Sequence, residues 1–172
     1  MSVGRARSDS DALGGVVNGY APLDSGLHIP SSYIDHELDS VEFTAPVTVS
    51  ATADPLTTIV TGSSVAYDGS TAIIIEFGAP YIDTPAGMAG DLLILALYDG
   101  STQGRYIARW ASATTASERH PVYVRLRLTP SAASHTYSIR GQVTNAARTA
   151  TVGAGAGTGT TAMPGFIRIT RV

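Results

Sequence analysis

The chain has no cysteine, no lysine, only 15% charged residues and a single tryptophan among 172 residues. Without cysteine, neither disulfides nor thiolate chemistry can operate, so stability has to come from packing or from assembly. All eleven basic residues are arginine, a side chain that stays charged when partly buried and grips carboxylates through two parallel hydrogen bonds. A net charge of −3 with a pI near 5.7 leaves no electrostatic footprint for nucleic acid or for an anionic membrane. No apolar run approaches the ~20 residues of a membrane-spanning helix. The opening residues, Met1 to Asp9, lack the apolar stretch of a signal peptide. Synthesis in a bacterial cytoplasm is therefore expected, with any later export by another route.

What is present favours β-structure. A length of 172 residues suits one domain with its own core. Eighteen glycines and nine prolines, with abundant Thr, Ser and Val, favour strands and tight turns over helices. Residues 1–39 are polar and turn-rich, without a sustained period of 2 or 3.6, and read as an extended arm. From Ser40 to Val172 nearly every segment reads as a strand bounded by turn residues.

Val41 to Ser50 alternates, with Pro46 marking an edge or bulge. Asp68-Gly69 predicts a hairpin joining Ser64–Tyr67 to Ala72–Phe77. Asp91 to Tyr98 is a continuous apolar run closed by Asp99-Gly100 and reads as a strand buried on both faces, with Gly104–Trp110 as its hairpin partner. In Val122 to Leu128, Val122, Val124, Leu126 and Leu128 share one face, and Tyr123, Arg125 and Arg127 the other. Ala111 to Ser117 has room for one helical turn, but its Thr pair opposes more. About eight to ten strands with frequent turns predict an antiparallel β-sandwich, most simply a jelly roll.

Sites for chemistry are sparse. Ser, His and Asp are all present, but there is no Gly-x-Ser-x-Gly elbow, and His28, His36, His120 and His135 occupy unlike contexts. Asp35, His36 and Glu37 with His28 form the one cluster of metal-ligating types, yet neighbours on an extended chain point to opposite faces. Glu42, Glu76 and Glu118 are scattered singly, unlike the paired carboxylates of glycoside hydrolysis. Gly153 to Gly159 lacks the Lys-Ser/Thr ending and the following helix of a phosphate loop. The expectation is a chain that is not an enzyme and carries no cofactor or metal. Tyr106 with Arg105 and Arg109, and Tyr123 with Arg125 and Arg127, suggest faces for a subunit, protein or sugar.

The segment Asn18-Gly-Tyr-Ala-Pro-Leu-Asp-Ser-Gly-Leu-His-Ile-Pro-Ser-Ser-Tyr33 resembles a motif that recurs in phage fibre and virion-appendage proteins ahead of a compact β-rich head. The stretch from Val122 to Val172, with Thr129 to Arg140, a glycine-rich loop and Pro164 to Thr170, is similar to the last strands of trimeric jelly-roll heads of the tumour-necrosis-factor and C1q class. These resemblances imply a phage structural protein, a capsid decoration or head-fibre protein located on the virion. Its arm would attach to the major capsid protein through Tyr20, Pro22, Leu23, Leu27, Ile29, Pro30 and Tyr33. A homotrimer would form around Tyr123, Arg125, Arg127, Tyr137, Phe166, Ile167 and Ile169. The alternatives are a tail-fibre tip contacting tail proteins and a receptor, or an adhesin for a host-surface glycan, although a lone Trp110 is a thin aromatic platform for sugars.

Overall fold

The computed structural model describes residues 36–158 and 161–172. The seven residues assigned to particle attachment, Tyr20 to Tyr33, lie outside the described residues. The described part is built from twelve strands: β1 (Glu37–Phe43), β2 (Val47–Val49), β3 (Thr57–Thr61), β4 (Val65–Ala66), β5 (Ile73–Asp83), β6 (Leu92–Asp99), β7 (Thr102–Ala111), β8 (Arg119–Leu128), β9 (Ser134–His135), β10 (Tyr137–Val143), β11 (Ala150–Gly153) and β12 (Gly165–Arg171). No helix occurs among the described residues, and Ala111 to Ser117 runs from the end of β7 into bends.

The strands form an antiparallel β-sandwich. One sheet has the order β1-β12-β5-β8, with β2 and β11 continuing it beside the second half of β5; the other has the order β3-β10-β6-β7. The chain crosses between the sheets in the two interlocked four-strand paths of a jelly roll. Between the sheets, Ile73, Ile75 and Phe77 of β5 and Ile167 and Ile169 of β12 share one core with Leu93, Leu95 and Leu97 of β6 and Ile139 of β10. Each such side chain, removed fully from water, contributes about 1.5–3 kcal/mol.

The apolar run of β6 is buried on both faces for a specific reason. Leu93, Leu95 and Leu97 face the core, while Ala96 and Tyr98 pack on the opposite side beneath Leu56. The Tyr98 hydroxyl donates to Asp54 Oδ1 at 2.5 Å, and the Arg140 guanidinium sits 4.2 Å above the Tyr98 ring. The hairpin from β6 to β7 forms through Asp99 and Gly100, whose φ of 57° needs glycine. In β8 the alternation holds, with Val122 buried and Tyr123, Arg125 and Arg127 exposed.

Two local expectations are corrected. Val41 to Ser50 is not one strand: the chain breaks around Pro46, so β1 joins β12 while β2 joins β11. Proline cannot donate to a ladder, and the break sends the two halves to different neighbours. Asp68-Gly69 makes a tight turn but no hairpin, because β4 pairs with β9 instead of β5. The turn holds itself together: Asp68 Oδ1 accepts from the Ser70 and Thr71 amides, each at 2.7 Å. Those bonds, led by that from the Thr71 hydroxyl, keep the Asp68 carboxyl well below the usual carboxylate range.

Candidate functional site

The outer face of the first sheet carries four of the seven residues expected at a subunit interface: Tyr123, Arg125, Arg127 and Phe166. Alternation along β8 turns Tyr123, Arg125 and Arg127 outward, and Tyr123 is 60% exposed. Register then brings two further residues beside them. Glu76 on β5 pairs with Arg125 on β8 and with Arg168 on β12. The Tyr123 hydroxyl donates to Glu76 Oε1, and Arg168 donates to Glu76 Oε2 from Nη2 at 2.6 Å and from Nε at 2.9 Å.

Glu76 is thus a buried carboxylate at the centre of three strands, only 8% exposed. The Tyr123 hydrogen bond and then the Arg168 contacts lower its pKa against the opposing effect of burial. Phe166 lies on the same side, one alternation from Arg168, and is half-buried. Hydrogen bonds within the chain hold the Tyr123 hydroxyl and the Arg168 guanidinium on Glu76.

The other residues expected at an interface lie elsewhere. Tyr137, Ile167 and Ile169 are buried inside the protomer's own core, because they occupy the inward positions of alternating strands. They offer no surface to a second copy. Glu76 and Arg168 were missed, since a lone Glu in an apolar run gives no signal until strand register is known.

The outer face of the second sheet carries a second polar and aromatic group. Tyr106 is 57% exposed, and its hydroxyl accepts a 3.2 Å hydrogen bond from Gln142 Nε2. Arg109 pairs with Ile94 and Tyr106 with Ala96, which places both on this outer face. Arg105 does not join them; it lines a pocket at one end of the sandwich.

Among the described residues, no group of three His, Asp or Glu side chains could hold a metal ion. His28 and Asp35 lie outside the described residues. His120 stands 3.7 Å from Glu118 Oε2. In the described part of the glycine-rich stretch, the Gly155 amide donates to the Met163 carbonyl and the Gly157 amide to the Ala162 carbonyl, so these two N–H groups are committed and cannot cradle a phosphate. No described helix is long and apolar enough to cross a membrane.

No protein-family model matches the chain. No curated protein matches it either. Among solved structures, it is similar at 10% identity and a TM-score of 0.35 to the Clostridium thermocellum endo-1,4-beta-D-xylanase 10B CBM22-1–GH10 modules complexed with xylohexaose, over 80% of this chain and 28% of that one. It is similar at 13% identity and a TM-score of 0.28 to the CBM22-1 xylan-binding domain of Paenibacillus barcinonensis Xyn10C, over 77% of this chain and 85% of that one. At these scores neither likeness bears on function.

Proposed function

We propose that this chain is a structural component of a phage particle, a capsid decoration or head-fibre protein whose β-sandwich head associates as a homotrimer. The observation that carries the assembly half of this reading is the outer face centred on Glu76. Tyr123, Arg168 and Glu76 hold one another in fixed geometry, so little conformational freedom is lost when a second copy docks. Tyr, Arg and Phe are the residue types favoured at such contacts. Among the described residues β8 pairs only with β5, and association beside it would cover an edge that a lone sandwich leaves open. Attachment to the particle rests on the resemblance of residues 18–33 to virion-appendage segments.

Light scattering on the full chain tests the assembly, with a trimer expected at micromolar concentration. A stable monomer overturns it. Removing residues 1–36, which leaves β1 intact, should preserve the head and abolish particle binding. Full binding by the shortened protein rules out the arm as anchor. Imaging the protein on intact particles separates capsid from tail.

A second reading, a glycan-binding adhesin, is favoured by the exposed Tyr106 held by Gln142 beside Arg109. An aromatic ring with flanking planar polar groups suits a sugar face. Binding on a glycan array that disappears with Tyr106→Ala would support this reading, and an array with no signal would remove it.

A further inference from the structure

Ser131 and His135, four residues apart in one segment after β8, meet Asp99 at one end of the sandwich. Asp99 ends β6, Ser131 lies in the loop after β8, and His135 closes β9. His135 Nδ1 is 2.5 Å from Asp99 Oδ2, and His135 Nε2 is 3.0 Å from Ser131 Oγ. We propose that these three residues form a serine nucleophile, a histidine base and an orienting carboxylate that hydrolyse small acyl esters.

The tautomer follows from the partners. A carboxylate can only accept, so Asp99 holds a proton on Nδ1, and in the neutral ring it is then Nε2 that carries the lone pair. Nε2 also lies 3.2 Å from the Ser131 carbonyl oxygen, which can only accept, so in that neutral ring the serine hydroxyl is the donor that engages Nε2. The ring is held in plane by its neighbours. Tyr137 stacks on it with centroids 5.8 Å apart, and Tyr67 meets it tilted at 5.7 Å. The turn that follows Asp99 is anchored too, since the Gly100 amide donates to the Thr136 carbonyl and Arg140 Nη2 donates to the Gly100 carbonyl at 2.9 Å.

The triad borders a pocket of about 350 Å³, room enough for a short acyl group. Leu128 and Pro130 supply apolar wall, and Arg105 is the arginine that lines it, a source of positive charge for a developing oxyanion. In the reaction, Ser131 Oγ bonds to the ester carbonyl carbon as its proton passes to His135 Nε2. Collapse of the tetrahedral adduct breaks the carbon–oxygen bond to the alcohol, which leaves with the Nε2 proton. Water then attacks the acyl-serine, giving a proton to Nε2. The Oγ–acyl bond breaks, the carboxylic acid departs, and Oγ recovers its proton. Ester and water become acid and alcohol, with no other reactant.

The test uses the full-length protein, a fluorophosphonate probe and p-nitrophenyl acetate. One adduct per chain, mapped to the peptide holding Ser131, is expected by mass spectrometry. Ser131→Ala, a change at an exposed loop residue, should lose the adduct and lower the esterase rate by at least about a hundredfold while melting at the wild-type temperature. Asp99→Asn should lower kcat and leave KM unchanged, as expected for a residue that positions the base. No adduct on the wild-type protein, or an adduct at another residue, overturns the proposal. So does Ser131→Ala hydrolysing ester at the wild-type rate, which would reduce His135 to a bare imidazole acting alone.

Discussion

The ring of Phe166 lies over Gly78, its registered partner across β12 and β5, so closely that a Cβ on Gly78 would stand 2.6 Å from the ring. The same relationship recurs twice in this sheet. Phe43 covers Gly165 across β1 and β12, and Tyr81 covers Gly153 across β5 and β11. Each aromatic side chain folds over the bare backbone of the facing glycine and occupies the volume a side chain would fill. A slip of one residue would set all three rings against side chains, so these pairs help to pin the register.

Gly153→Ala tests this packing directly. The new methyl would begin 2.0 Å from the Tyr81 ring, and overpacking of this kind costs about 1–3 kcal/mol. Denaturant unfolding should show that loss, and a double-mutant cycle with Tyr81→Ala should recover part of it. Simple additivity would mean the ring does not shape the site.

Ile169 and Phe166 separate core from surface on a single strand. Ile169 is fully buried and Phe166 is half-buried on the opposite face. Ile169→Ala should lower unfolding stability by about 2–5 kcal/mol, whereas Phe166→Ala should cost less stability and weaken association. Equal effects on both quantities would contradict the assignment of faces.

Acid should loosen the first sheet through Glu76. Its pKa is lowered in the folded chain, so the stability it confers is fully present above the unfolded value of about 4.3 and is lost as pH falls through the folded value. Melting temperatures followed from neutral to acid pH should drop through that window. Glu76→Gln should flatten the drop while lowering stability at neutral pH, because Arg168 loses its partner.

Alkali should act through buried tyrosines. Burial, and then the hydrogen bond to Asp54, push the Tyr98 hydroxyl up to about 12; burial likewise pushes Tyr67 and Tyr137 up to about 12. A raised folded pKa means stability is complete below the unfolded value of about 10 and lost as pH rises toward 12. Tyrosinate absorbance should therefore show a late group of titrating rings that coincides with unfolding. In Tyr98→Phe the alkaline loss should be smaller.

The long strands were legible because their chemistry alternates or is continuously apolar, as in Val122 to Leu128 and Leu92 to Tyr98. The β4–β9 pair was not, since two residues on each side leave no period to read. Glu76 looked like an isolated acid among isoleucines; it became a centre only when register set Tyr123 and Arg168 around it. Ser131 and His135 are near neighbours in sequence, but Asp99 joins them across 36 residues only because the end of β6 packs beside β9, and local sequence does not encode that meeting. The interface assignment of Ile167 and Ile169 came from the resemblance to the last strands of trimeric heads, whereas their inward alternation commits them to the protomer.

The pairing of β1 with β12 sets Glu37 opposite Thr170, so the first strand of the head begins where its last strand ends. A pull applied between those two points would open the ladder one rung after another, as a zipper opens. A pull entering at Glu37 and leaving through the far end of β12, near Gly165, would load all its rungs at once. The resistance of this ladder to opening therefore depends on the direction of the load, and a short bridge from residue 172 to residue 37 would close the two ends into a circle.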